Sequence, residues 1–440
     1  MKTKKIIPIL VSLTLGLSSC LSLADETKAN ADLSLLDAIK NGKPMTSFRL
    51  RYDIKDDDGK EKTGYAFTLR SLIGWQTAPF HDFSVGAQFI GVTDINDAFN
   101  DRQWNKDENG RANYARIADP DYYNINQLYV DWTGLPSTKV RVGTQSLKLD
   151  NVRFIGNVEF RQVMQVFTGV TVENSSIKDL DLMGGYYTRL RKATTSEQLS
   201  EDTGILHANY HLSPTESLIG YGYWYDTNND KFAVTGGSPT TMDLSNRTLG
   251  LRLDGSHPIN KEWKVLYTAE YAKQDRIANG DNSIDAHYYK LGLGGSWNGW
   301  FARLDQELLS SKDSKYAFYT PLGTNHLFQG WIDQFAGSTP AQGMRDTYIT
   351  AGGKWQDLTL LTEYHRFDSD KNFKTTGDSS SGPFTGNQYG TEWDVSAAYA
   401  VNKQLTAKVE YGKFREGDRY GTGSYRDVNQ LWLTALYTFN

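Results

Sequence analysis

From about residue 45 to its end, the chain repeats one pattern: short stretches in which apolar and polar side chains alternate strictly. In SFRLRYDIK, Phe48, Leu50 and Tyr52 fall on one side of an extended backbone and Arg49, Arg51 and Asp53 on the other. GYAFTLRS sets Tyr65, Phe67 and Leu69 against Ala66, Thr68 and Arg70, and TEWDVSAAYA sets Trp393, Val395, Ala397 and Tyr399 against Glu392, Asp394 and Ser396. A period of two is the signature of a β-strand with one apolar face. Applied along the sequence, it predicts strands over 45–54, 62–76, 81–93, 121–133, 138–149, 166–174, 178–190, 203–212, 214–226, 243–254, 261–275, 284–295, 298–309, 343–354, 356–369, 388–400, 403–415 and 426–439. The expected fold class is therefore all-β, with about eighteen antiparallel strands.

Alternation alone suits a soluble sandwich as well as a membrane barrel. The connections separate the two. Tight turns are marked by Ala78-Pro79, Gly134-Leu135-Pro136, Ser175-Ser176, Ser213-Pro214, Trp297-Asn298, Gln356 and Val401-Asn402. Between them lie long polar stretches near 94–120, 191–202, 227–242, 310–342 and 370–387. Short turns at one end and long loops at the other are the asymmetry of an outer-membrane β-barrel, whose strands are about ten residues long and even in number. Past the first two dozen residues no apolar run approaches about 18 residues, which excludes helical membrane spans. The mean hydropathy of -0.55 fits a barrel, since its polar and apolar faces average out. So does a composition with 26 Tyr, 19 Phe, 11 Trp and 40 Gly but only 11 Pro. A net charge of -5 without a basic tract excludes a nucleic-acid partner.

The N-terminus reads as an export leader, residues 1–24: Lys2, Lys4 and Lys5, the apolar run IIPILVSLTLGL, then small residues at Ser22-Leu23-Ala24, with Ala29-Asn30-Ala31 as a second candidate cleavage site. The single cysteine, Cys20, lies inside it, so the exported chain is expected to form no disulfide; Leu17-Ser18-Ser19-Cys20 also resembles a lipobox. A short periplasmic segment, 25–44, and the barrel, 45–440, follow. In QLWLTALYTFN, alternate apolar residues end in Tyr437 and Phe439, which resembles the C-terminal signal read by the barrel-assembly machinery, although Asn440 follows the aromatic residue. Expected partners are that machinery, outer-membrane lipid and lipopolysaccharide.

Three segments together resemble the alginate-export family of outer-membrane barrels: LLDAIKNGKPMTSFRLRYD, QLYVDWTGLPSTKVRVGTQSLKLDNVRFIGNVEFRQ and TPLGTNHLFQGWIDQFAGSTPAQGMRDTYI. The resemblance spans most of the chain after the leader and implies an eighteen-stranded pore for an anionic polysaccharide or another solute. Arg153 and Arg161 match basic positions of the pattern; Thr144 stands where members tend to carry Arg.

With the polar face turned inward, the first seven strands and their loop contribute Arg49, Arg51, Arg70, Arg141, Arg153, Arg161 and Arg189 to the lumen. Later strands contribute Glu270, Asp305, Glu307, Glu363, Glu392, Asp394 and Glu410. The expectation is a basic arc facing an acidic one, which sets a transverse field across a narrow aqueous pore. The bland alternative is that these charges pair into ladders bracing the wall. The stretch LKLDNVRFIGNVEFRQVMQVFTGV, residues 147–170, is too polar for a core and too apolar for a free loop. It is expected to fold back into the barrel as a constriction, with Glu159 among its polar residues and Arg153 and Arg161 presented to the solute. An outside lid is the alternative.

Other chemistries find less support. His207 and His211 lie about 13 Å apart on a strand, too far to share one ion. DDDGKE fails the calcium-loop pattern, which leaves only loose calcium binding by Asp94, Asp97 or Asp101. GLGGSW lacks the third Gly of a dinucleotide fingerprint. No nucleophile motif supports a barrel hydrolase, no cofactor is implied, and an adhesin reading rests on the long loops, with Gly330-Trp331-Ile332-Asp333 expected to pack at the rim. The function expected is passive passage of a hydrophilic solute, with an anionic saccharide as candidate and dedicated exopolysaccharide export as the alternative.

Overall fold

The computed structural model describes residues 34–96, 98–101, 111–193, 198–228, 231–233, 241–335, 339–374, 385–418 and 425–439. The leader, Cys20 and Asn440 lie outside them. A one-turn helix, α1 (Leu35–Lys40), opens the described chain; the Ser34 side chain accepts from the Asp37 backbone N–H, and the Asp37 carboxylate accepts from Ser34 in return. Lys43–Pro44 then pairs with the end of the second stave.

The wall is β1 (Ser47–Asp57), β2 (Gly64–Gln76), β3 (Phe83–Asp94), β4 (Tyr122–Trp132), β5 (Thr138–Gln145), β6 (Val166–Ile177), β7 (Leu180–Arg191), β8 (Asp202–Ser213), β9 (Glu216–Asp226), β10 (Asn246–Pro258), β11 (Trp263–Arg276), β12 (Asp285–Trp297), β13 (Trp300–Leu309), β14 (Met344–Trp355), β15 (Leu358–Lys374), β16 (Thr385–Ala400), β17 (Leu405–Glu416) and β18 (Val428–Thr438). Each pairs antiparallel with the next, and β18 pairs with β1 from Ser47 opposite Thr438 to Asp57 opposite Val428, which closes the ring. Closure leaves no sheet edge, so apart from the bulges the wall amides pair from strand to strand without water. All eighteen expected strands are present. The one clear shortening is β5, which stops at Gln145 because the chain there leaves the wall for the lumen. At 298–299 the turn is Asn-Gly with φ 47° and 87°, a left-handed pair that joins two staves with a two-residue connection.

The outward face explains where this surface is stable. Leu251, Leu291, Leu293, Leu304, Ile349 and Val409 are exposed in mid-strand. Trp263, Trp297, Trp300 and Trp355 project at the short-turn end, and Tyr65, Tyr123, Tyr186 and Tyr271 toward the long-loop end. An apolar band between two aromatic girdles is solvated by lipid, not water. The chain is thus a transmembrane barrel of the Gram-negative outer-membrane type.

Unusually much of the apolar packing lies inside. Two outside loops turn inward, L3 (residues 146–165) and L7 (described over 310–335 and 339–343), and their Phe154, Ile155, Phe318, Trp331 and Phe335 join wall residues such as Tyr221, Tyr288, Phe367 and Phe414 in one buried cluster.

Candidate functional site

L3 is pinned from β1. The Arg49 Nε donates to Gln162 and its Nη1 to the Glu159 carbonyl, each at 2.8 Å, while Nη2 donates to the Arg161 carbonyl. Arg51 Nη1 donates to the Phe160 carbonyl at 2.7 Å, and its guanidinium lies 4.4 Å from the centre of the Phe160 ring. Gln162 donates onward to Thr68 on β2 at 2.7 Å, and its backbone N–H to Asp119 at 2.8 Å. Charged donors spent on loop carbonyls are strong ties, because those carbonyls have lost water.

Across the lumen, Arg153 reaches Glu307 on β13, with Nε donating at 2.5 Å and Nη2 at 3.2 Å, while Nη1 donates to Thr320 and Asn325. L3 and L7 bond to each other directly: Gly156 N–H to the Leu322 carbonyl and Thr324 N–H to the Val152 carbonyl, both at 2.9 Å. Arg161 donates to Asp333 at 2.5 Å, and the His326 ring stacks on Phe160. L7 in turn is held to the wall by Trp331 Nε1 donating to Glu363 at 2.9 Å and the Ile332 N–H donating to Glu392 at 2.8 Å. Gly330, at φ 79°, makes this approach, since a Cβ there would stand 2.4 Å from the Glu392 carboxyl carbon. The segment expected to pack at the rim is therefore seated inside. Val152 and Val158 hold φ of 61° and 52°, a costly region for β-branched residues, which shows how firmly the surrounding contacts fix L3.

The predicted charges divide into three sets. Several pair along the wall, as the ladder alternative expects: Arg141 chelates Asp131 at 2.6 and 2.7 Å over the Tyr129 ring, Arg303 holds Asp305 at 2.6 Å, Lys408 holds Glu410 at 2.6 Å, and Glu270 sits between Arg252 and the Tyr221 hydroxyl. A second set ties the loops: Arg49, Arg51, Arg153, Arg161, Glu307, Glu363 and Glu392. The third keeps unspent capacity. Arg70 stands directly opposite Arg49 in register, is 2% exposed, and has Nε and Nη1 without hydrogen-bond partners. Asp394 is buried beside Glu363 in register, with neither carboxylate oxygen bonded. Glu159 is half exposed and pairs with Lys148; burial alone would raise its carboxyl, but Lys148, Arg70 and Arg49 pull it down to about 2.

Two expectations need correction. Arg153 does not face a solute: it is fully buried, because its whole fork is used on Glu307, Thr320 and Asn325. Arg189 is on the outer surface, since the bulge after Thr168 sets it in the outward row with Thr168, Thr144 and exposed Leu128. The arcs are Arg49 and Arg51 on β1, Arg70 on β2 and Arg141 on β5 against Glu270 on β11 and the other acids on β13–β17. Ring closure leaves only β18 between β17 and β1, so the two arcs adjoin. Alternation along single strands carries no information about closure. Sequence reading also missed Asp346 and His365, inward neighbours on β14 and β15 bonded at 2.9 Å. Parity with outward Ile349 would have found the first. Of the calcium candidates, Asp97 lies outside the described residues; among those described, no group of three or more His, Cys, Asp or Glu is arranged to hold an ion.

A closed eighteen-stave wall with a polar, charged interior and two loops folded into the lumen defines the class: an eighteen-stranded outer-membrane β-barrel. Solved structures sharing the fold include Acinetobacter baumannii OccAB3, with TM-score 0.69 and 13% identity over 91% of this chain and 100% of that one. Pseudomonas aeruginosa OccK9 (OpdG) matches with TM-score 0.67, and P. aeruginosa OpdK, determined with vanillate, with 0.66, both at 13% identity over 91% of this chain and 98% of theirs. At that identity the likeness is one of fold. No family model matches the chain, and no curated protein matches it in sequence. The alginate-export resemblance thus carries over as strand number and barrel type.

Proposed function

We propose that the protein is a selective channel for small hydrophilic organic solutes, with carboxylate-bearing ones favoured. The observation that carries this reading is Arg70, an inward guanidinium beside Arg49 and Arg51 whose Nε and Nη1 have no hydrogen-bond partner; at 2% exposed it acts on a passing solute through its charge, not by contact. Where loops exclude bulk water, such a group favours a passing anion far more than it would in solution. The OpdK structure determined with vanillate, an aromatic carboxylate, supports the same solute class. Export of a long polysaccharide fits less well, because L3 and L7 are bonded to each other and to staves on several sides of the ring. An acidic monosaccharide or short oligosaccharide remains within the proposed class.

The test uses Arg70→Met in planar bilayers under a salt gradient. Arg70 acts on L3 only through its charge on Glu159, and the hydrogen bonds of Arg49 and Arg51 that pin the loop stay in place when it is replaced. The expected result is a reversal potential moved toward cation preference and slower flux of small carboxylates, at unchanged single-channel conductance in concentrated salt. An unshifted reversal potential from a properly folded barrel would refute the reading.

A further inference from the structure

We propose that α1 is a membrane foot, a surface helix that rests in the phospholipid leaflet on the short-turn side of the barrel. Its sequence, LLDAIK, places Leu35, Leu36 and Ile39 on one face at i, i+1 and i+4, and these are 60%, 57% and 46% exposed. Ala38, beside that face next to Leu35, is 1% exposed and packs inward. Six residues form too short a helix to be stable or membrane-active alone. Here the wall supplies what length does not: Ala78 N–H donates to the Ala38 carbonyl at 2.9 Å, and the Trp75 indole donates to the Ile39 carbonyl at 2.8 Å.

The Trp75 contact also fixes which medium the helix meets. Trp75 belongs to the outward row of β2 with Ile73, and its neighbours Val85 and Phe83 on β3 are exposed on the same lipid-facing surface. The chain at Gly42 lies against the Trp75 side chain, where an added Cβ would fall 2.3 Å from the indole nitrogen. The apolar face of α1 is therefore continuous with the aromatic girdle of the barrel. Lys40 at its end and Lys43 just beyond it are exposed, and their ammonium groups suit phosphate headgroups. Apolar residues toward the acyl boundary with lysines at headgroup level are the arrangement of an interfacial helix. Because the wall already holds α1 in place, insertion needs no separate search, and small apolar area suffices.

The test places an environment-sensitive NBD label at Leu36→Cys or, for comparison, Ser34→Cys, each in the full chain with Cys20→Ser so that one thiol is present. The labelled protein is reconstituted in phosphatidylethanolamine and phosphatidylglycerol vesicles. At position 36, lipid brominated near the headgroup end of its acyl chains should quench the label several-fold more than at position 34, and aqueous iodide several-fold less. Equal iodide quenching at both positions would overturn the proposal. So would shielding of position 36 from both quenchers, which would mean that protein covers this face.

Discussion

The Arg153–Glu307 pair offers the sharpest perturbation of the lumen. Arg153→Met keeps an unbranched apolar stem but removes the charge and the guanidinium, which lies over the Phe328 and Tyr288 rings. Glu307, 1% exposed, would then keep the Tyr288 hydroxyl at 2.9 Å as its one hydrogen-bond donor among the described residues, with Asp346 opposite it on one neighbouring strand and Lys290, bonded instead to the Tyr348 hydroxyl, on the other. Removing one partner of a buried pair costs about 3–5 kcal/mol, because the remaining charge is stranded. The wall hydrogen bonds are untouched, so the cost falls on the docking of L3 and L7. At about 1.4 kcal/mol per decade, the docking equilibrium shifts by roughly two to three and a half decades. Single-channel recordings should show this as frequent transitions to a higher conductance, and protease should cut L3 in the native barrel. The double variant Arg153→Met, Glu307→Leu removes both charges and should return most of the quiet behaviour, since an apolar pair of similar volume is about neutral. Silent recordings from folded Arg153→Met, or a double variant as noisy as the single one, would show that the pair does not hold the loops.

Two further outcomes follow from the site. Asp333 is buried, which raises its carboxyl, yet His326 and Arg161 outweigh burial and hold it below its ordinary value. The L3–L7 contact it makes is then present above the usual Asp range of about 3.9 and is lost only as pH falls below that range; Asp333→Asn should instead loosen the contact at every pH, as read by conductance noise between pH 4 and 7. Arg189→Glu should leave ion selectivity unchanged, because the residue lies outside the wall; a selectivity shift comparable to that of Arg70→Met would contradict the register of β7.

The fold was legible because a barrel wall depends on local alternation and on the contrast between its two kinds of connection, and both can be read from adjacent residues. Even the inward course of L3 showed, since Val152, Phe154 and Ile155 have no reason to be apolar in water. What could not be read was long-range. Whether an inward Arg faces a solute or a carboxylate depends on residues such as Glu307, 154 positions away from Arg153. Arg189 was misplaced for a local reason: one bulged residue inverts the parity of everything beyond it. A linear strand list also hides the seam between β18 and β1, where the basic and acidic arcs meet.

The same cross-lumen bonds have a mechanical meaning. A hoop of hydrogen-bonded staves resists stretching around its circumference but flattens easily into an oval under lateral pressure from a bilayer. The links from β1 to L3, from L3 to β13, and through L7 to β15 and β16 act as spokes. Anchored at separated points of the wall and packed against it in one buried cluster, they fix the cross-section from within. Bore size in this barrel is thus a property of its hub, and membranes that squeeze the hoop differently should find the same aperture.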